Sequence, residues 1–318
     1  MGPARNAGIS AMIARLPAAP GVYRFRDAAG DVLYIGRATS LRSRVGSYWS
    51  GLRDRAHLAP MVARVARIEA VACDSVHEAA WLERTLLTRV LPRWNKTPGG
   101  QEVPVCVVLD SRPARPRLSV THLPVPEPPV AGVEYFGPYL GGRRARLAVH
   151  GLTRCLPLGY TGARLRGAEL DMARARGVAE ADRAAFAGTI GAALRREPEA
   201  IARVRAHLEL LRDQAARALA FELAAQVNQE LTALDWVTCP QRASMLTAAD
   251  FTACGWSGGI LTAFVIRGGQ VAAWTQDRCP EAAAAPFLAA TPPGWAAWAH
   301  RNAILAAALN HPALDAGS

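Results

Sequence analysis

Apolar and polar positions alternate over two short stretches near the start of the chain, Gly21–Arg26 and Val32–Gly36. The loop Ala28-Ala29-Gly30-Asp31 separates them, so the pair reads as a β-hairpin. Thr39 or Ser40 is placed to cap a helix that runs through Trp49. Alternation returns over Arg67–Cys73, a third strand. A helical period follows from Val76 to Val90 and stops ahead of Pro92. Hairpin, helix, strand and helix in that order predict an α+β domain with a small, three-stranded, mainly antiparallel sheet.

Beyond residue 97 the pattern changes. Residues 98–133 are rich in proline and hold two apolar runs, Val103–Leu109 and Leu118–His122, which read as a connecting strand pair or a linker between lobes. From Glu180 to Leu234 apolar residues recur at three- and four-residue steps (Ile201, Val204, Leu208, Leu211, Ala215, Leu219), predicting a hairpin of two helices. Strands resume over Phe251–Trp256, Leu261–Arg267 and Gln270–Thr275, the last two joined at Gly268-Gly269. The expected organisation is a first domain over 1–100, connecting strands over 101–160, a helical region over 161–240 and a small β-rich C-terminal region over 241–318.

Charge narrows the choice of partner. The chain carries 37 Lys and Arg against 26 Asp and Glu, a formal charge of +11. Residues 1–100 hold fifteen of the basic groups and only seven acids. Such a balance favours nucleic acid, with the first domain in contact with phosphate. No run of about twenty apolar residues exists, so no membrane span is expected. The N-terminal residues lack a signal-peptide layout, which makes the cytoplasm the expected location. Six scattered cysteines without paired spacing point to neither a zinc site nor a disulfide framework.

Glu83 is the residue whose placement says most. Projected at 100° per residue, the helix 76–90 has an apolar arc of Ala79, Ala80, Leu82, Leu86, Leu87 and Val90, with Glu83 at its centre and His77, Glu78, Arg84, Thr88 and Arg89 opposite. A carboxylate facing a core requires a cation or strong donors; a divalent ion and an arginine both answer. Arg44 sits at the edge of the arc formed by Leu41, Val45, Tyr48 and Trp49, from which a guanidinium can reach a phosphate. Arg42 points further round the same helix, as a phosphate-backbone contact or a solvated charge. Tyr23 and Tyr34 lie on the paired strands, where tyrosines are ordinarily packing partners.

Taken together, Gly21-Val22-Tyr23, Tyr34-Ile35-Gly36, Arg37, Arg44, Glu83 and Asn95, with Leu16-Pro17 and Pro20 ahead of them, resemble a GIY-YIG nuclease domain of the UvrC kind. The likeness covers the first hundred residues strongly and the rest weakly. Phe136-Gly137-Pro138-Tyr139 is similar to the segment after the UvrC nuclease domain, and Phe221-Glu222-Leu223-Ala224-Ala225 to the UVR motif that meets the helicase UvrB, with Asn228-Gln229 near where Arg-Asp usually stands. The resemblance implies a metal-dependent endonuclease making the 3′ incision of excision repair in damaged double-stranded DNA, as short Cho-type homologues do. It implies Glu83 as ligand of Mg²⁺, with Mn²⁺ able to substitute, and Tyr23, Tyr34, Arg37, Arg44 and Asn95 as catalytic residues. Tyr23 is expected as base and Tyr34 as positioner; Arg37 stands where lysine is common. Arg42 is expected on DNA, and a UvrB-like helicase is the expected partner. Only Cys155 stands in the region of the UvrC cysteine cluster, so no iron–sulfur cluster is expected. A non-catalytic DNA-binding module, or a restriction or mobile-element nuclease, are the alternatives.

Overall fold

A computed structural model describes residues 3–50, 56–97, 102–123 and 130–310. These fall into two compact units, residues 1–100 with 241–318, and residues 101–240. The linker expected over 98–133 lies partly outside the described residues.

The first unit opens with helix α1 (Pro3–Arg15), strands β1 (Gly21–Arg26) and β2 (Val32–Ala38), and helix α2 (Leu41–Gly46). A 3₁₀ turn leads into α3 (Ala59–Val62), then β3 (Arg67–Ala72) and α4 (Val76–Arg89). The antiparallel sheet runs β2-β1-β3. Its register sets Tyr23 opposite Gly36 and Ala70, and Arg24 opposite Ile35 and Glu69. One face is apolar: Tyr23, Phe25 and Ile68 pack with Ile9, Leu16, Leu41, Val45, Tyr48 and Met61. On the other face Glu69 is buried beside Arg24 and Arg26. Helix α2 ends at Gly46, three residues short of the expected Trp49; Ser47 and Trp49 continue in turns whose N–H groups bond back to Ser43 and Gly46.

The second unit is built on strands β4 (Pro104–Asp110), β5 (Arg117–His122) and β6 (Val133–Leu140), ordered β5-β4-β6 and antiparallel. The connecting strand pair is therefore a three-stranded sheet, because Phe136-Gly137-Pro138-Tyr139 lies within a strand that pairs with β4. Helices α5 (Gly142–Cys155), α6 (Ala168–Ala175), α7 (Arg183–Leu194), α8 (Pro198–Arg217) and α9 (Phe221–Thr238) follow. The α8–α9 hairpin matches the helical period, and α7 adds a third helix to it. Val107, Tyr139, Leu152, Leu208, Leu231 and Val237 share one core. Within it Glu230, fully buried, accepts two hydrogen bonds from Arg154 at 2.7 and 2.8 Å.

The chain then returns to the first unit with β7 (Phe251–Ser257), β8 (Ile260–Arg267) and β9 (Gln270–Arg278), a meander, and helices α10 (Glu281–Ala289) and α11 (Pro293–Asn310). These elements change the reading of α4. His77 and Glu78, placed by projection on the solvated side, are both buried. Glu78 is held there by N–H donors from Asp74 at 2.5 Å and from Arg242 at 2.7 Å. Asp74 in turn pairs with Arg242 and Arg301. At Arg24 the guanidinium lies 4.0 Å from the centroid of the Trp274 ring and donates to the Trp274 carbonyl at 3.1 Å.

Candidate active site

Strand β2 is an edge strand, so the outward N–H and C=O groups of Leu33, Ile35 and Arg37 need partners from elsewhere. Three residues from two segments, Trp94-Asn95 and helix α4, supply them. The Leu33 carbonyl accepts from the Trp94 N–H at 3.4 Å. Asn95 accepts from the Ile35 N–H at 3.0 Å and donates to the Ile35 carbonyl at 2.8 Å. Glu83 Oε1 accepts from the Arg37 N–H at 3.0 Å, while its Oε2 lies 3.2 Å from Arg37 Nε. Pairing with β2 thus fixes both Glu83 and Asn95 at the rim of the same edge.

An open cleft of about 410 Å³ lies along this edge, lined by Tyr34, Arg44, His57, Glu83, Trp94, Asn95 and Lys96 among others. Burial raises the Glu83 carboxyl above its usual range, opposed by the charge and N–H of Arg37 and by the charge of Arg44. Burial also raises the phenol of Tyr34, with Tyr48 adding to the shift. At Arg44 burial pulls the guanidinium down, but the phenolic oxygens of Tyr23, Tyr48 and Tyr34 outweigh it and raise the group. Arg44 therefore keeps its charge. Its carbon Cζ stands 5.7 Å from the centroid of the Tyr48 ring.

The motif tyrosines are placed unequally. Tyr34 lines the cleft, whereas Tyr23 is completely buried and its hydroxyl is 2.8 Å from that of Tyr48. Burial and the neighbouring Tyr48 and Tyr34 raise the Tyr23 phenol well above its ordinary value. The three rings lie 6.1 to 6.3 Å apart, centroid to centroid.

The motif glycines have a steric reason. A Cβ on Gly36 would stand 2.5 Å from the Tyr23 hydroxyl and 2.8 Å from Tyr34 Cε1, and one on Gly21 would stand 2.3 Å from the Val71 carbonyl oxygen. Neither position has room for a side chain.

Of the residues singled out from the sequence, Tyr34, Arg44, Glu83 and Asn95 meet at the cleft, and Arg37 joins them through Glu83. Tyr23 supports the cleft from within the core. Arg42 is exposed, with Nε donating to the Leu16 carbonyl at 2.7 Å. Sequence reasoning missed His57, Lys96 and the role of Tyr48. A clue to Tyr48 was available: a tyrosine on an apolar helix face needs a partner for its hydroxyl. His57 carries no local signal.

A cation would find one carboxylate here, Glu83, whose side chain is 20 % exposed. Each of its oxygens has a second lone pair beyond the bonds to Arg37. Among the described residues, no group of three or more His, Cys, Asp and Glu could hold a metal. Such a site fits Mg²⁺, which retains water and completes its shell with phosphate, and fits poorly with ions that need a full protein cage.

Residues 19–96 match the family model described as a UvrC-like GIY-YIG domain. The chain is 37 % identical over 144 residues to the UvrABC system protein C of Geobacter metallireducens, across 45 % of this chain and 23 % of that protein. Against the protein of the same name from Anaeromyxobacter sp. it is 40 % identical over 136 residues, 42 % of this chain and 19 % of the relative. The similarity thus spans less than a quarter of the length of these curated relatives. Element order and sequence similarity agree: residues 19–96 of this chain are a UvrC-like GIY-YIG domain.

Proposed function

We propose that this protein is a divalent-metal-dependent DNA endonuclease that hydrolyses a phosphodiester in damaged double-stranded DNA, as the 3′ incision of nucleotide excision repair. The observation that carries the proposal is the convergence of Tyr34, Arg44, Glu83 and Asn95 on one open cleft in a domain of the UvrC kind. Relatives named for the UvrABC system supply the repair context.

In this reading Glu83 holds a Mg²⁺ ion, which when bound would polarise the scissile phosphate and steady the leaving 3′-oxygen. Arg44 donates from its charged fork to a non-bridging phosphate oxygen, where negative charge grows during attack. Tyr34, with its phenol raised by burial, keeps its proton at neutral pH and orients the attacking water through Oη. Any base role for Oη requires the nearby charge of Arg44 to work against that shift. Tyr23 and Tyr48 hold the Tyr34 ring and the Arg44 side chain in place. This division of labour reverses the sequence-based expectation, which gave Tyr23 the proton. Asn95 and Arg37 fix the wall of the cleft through the backbone of β2, and Arg42 contacts the DNA backbone.

The exposed side chains Leu219, Phe221 and Leu223, around the α8–α9 turn, support a UvrB-like helicase as partner. Phe221 is 67 % exposed, which leaves its ring available to a partner. End-labelled duplex bearing one bulky lesion, incubated with Mg²⁺ and with or without UvrA and UvrB, tests the whole reading. A single cut on the 3′ side of the lesion supports it; uncut substrate under every condition contradicts it.

A further inference from the structure

The second unit carries a basic groove that the cleft chemistry does not use. Arg143, Arg144 and Arg146 all stand near the start of α5, a helix of 14 residues. Its first turn has no acidic residue, and its N-cap, Gly141, offers no side chain to the free N–H groups. Gly141 sits at φ 122°, a conformation that favours glycine and so keeps this helix end bare. Three guanidinium groups therefore crowd the positive end of a helix dipole, an accumulation of like charge that an anion would relieve. All three are exposed, and none forms an ion pair among the described residues.

Helix α9 forms the facing wall. A cavity of about 410 Å³ is lined by Arg143 and Arg144 on one side and by Asn228, Gln229, Thr232 and Trp236 on the other. Tyr139 packs on the Trp236 ring at 5.6 Å between centroids, and Arg144 Cζ stands 5.7 Å from its centroid, so the indole sets the direction of that guanidinium. The groove thus offers two kinds of recognition in sequence, cations first and neutral amides beyond them. A simple anion would engage only the arginines. A nucleic-acid strand would engage both, with phosphates on the guanidinium forks and base or sugar edges on the amides. A cavity of this size admits one nucleotide of a single strand, whereas a duplex would reach only its rim.

We propose that the groove between α5 and α9 binds single-stranded DNA, with Arg143 and Arg144 on phosphates and Asn228 and Gln229 on base or sugar edges. The proposal rests on the reading of the protein as a DNA-acting enzyme and adds a strand-binding site in its second unit. It gives a function to Asn228-Gln229, which stand near where the UVR pattern carries Arg-Asp.

The test uses the full chain and a fluorescein-labelled oligothymidylate of twenty nucleotides, with anisotropy read across a salt series in EDTA. The double variant Arg143→Gln/Arg144→Gln removes both cations that line the cavity. It is expected to bind at least about tenfold more weakly at low salt, with the log–log salt slope shallower by about 1.4 for two lost phosphate contacts. Asn228→Ala/Gln229→Ala is expected to weaken binding without altering that slope. Unchanged affinity and slope in both double variants, with thermal melts showing them folded, would overturn the groove proposal and leave the nuclease reading intact. Competition by a polyglutamate peptide of equal charge as effective as by unlabelled oligonucleotide would also overturn it, pointing to an acidic protein segment. A wild-type chain that cleaves lesion duplex while ignoring the oligonucleotide would sink this inference alone. A chain that neither cleaves nor binds DNA would sink both.

Discussion

Both hydrogen-bonding groups of the Asn95 amide are committed to the backbone of Ile35, as acceptor at 3.0 Å and donor at 2.8 Å. Asn302 makes the same pair of bonds to Ala72 on the opposite edge strand β3, at 2.7 and 3.2 Å. Each edge strand of the first sheet thus has one residue held on both sides by an asparagine, and at β2 that pairing also builds the wall of the cleft.

Asn95→Ala removes two bonds from a strand edge and should lower stability by about 1–3 kcal/mol, with a further loss of activity as the wall loosens. Asn95→Asp should be no better, because a carboxylate oxygen then faces the Ile35 carbonyl. Urea denaturation of both variants checks this. A pair of variants as stable as wild type would show that the Ile35 bonds contribute nothing.

The two motif tyrosines should separate in their effects. Tyr34→Phe is expected to lower turnover by about 10² while leaving the melting temperature nearly unchanged. Tyr23→Phe breaks the bond to Tyr48 in a fully buried site and should cost about 1 kcal/mol or more in stability, with a smaller loss of turnover. Steady-state kinetics and thermal melts on the same preparations decide the matter. The opposite pattern would return the proton-handling role to Tyr23.

Gly36→Ala should be far more damaging than its size suggests, since the new methyl would sit 2.5 Å from the Tyr23 hydroxyl. Overpacking of this kind typically costs about 1–3 kcal/mol, and here it also displaces Tyr34. A melting temperature within experimental error of wild type would contradict the close approach.

Much of the first domain is legible in the sequence because its elements repeat at short range. Alternation reveals the three strands, and one helical projection places Glu83 on the sheet side of α4. The same projection fails for His77 and Glu78, since the layers that bury them begin more than 160 residues later, at Arg242 and β9. A periodicity measured within one helix cannot show that a second layer covers its other side. Strand β6 was hidden for a related reason: Gly137-Pro138 interrupts the alternation, and its pairing with β4 is long-range. Tyr48 was visible only as an apolar-arc residue. That its hydroxyl meets Tyr23 depends on where α2 docks on the sheet.

The Glu83 carboxyl, raised by burial against the pull of Arg37 and Arg44, makes a pH-dependent prediction. A carboxyl whose folded value lies above its unfolded one holds its proton more tightly in the folded state. Ionising it at neutral pH therefore subtracts from stability, and the subtraction fades as pH falls through the folded value toward the unfolded one near 4.3. Glu83→Gln, which keeps an acceptor for the Arg37 N–H, should melt at or above the wild-type temperature at pH 7.5. The difference should close as the pH approaches 4. A gap that opens on acidification would reverse the assigned direction.

The central claim is that Glu83 and Arg44 serve hydrolysis at the β2 cleft and are not merely structural charges. The most direct measurement is single-turnover cleavage of lesion duplex under matched conditions, with DNA binding measured in parallel in EDTA. Glu83→Ala should abolish cleavage in both Mg²⁺ and Mn²⁺ while binding stays within a few-fold of wild type. Arg44→Ala should cut turnover by about 10²–10³, and a chelator should silence the wild-type protein. Near-wild-type cleavage by Glu83→Ala, or chelator-resistant activity in the unmodified protein, would contradict the account.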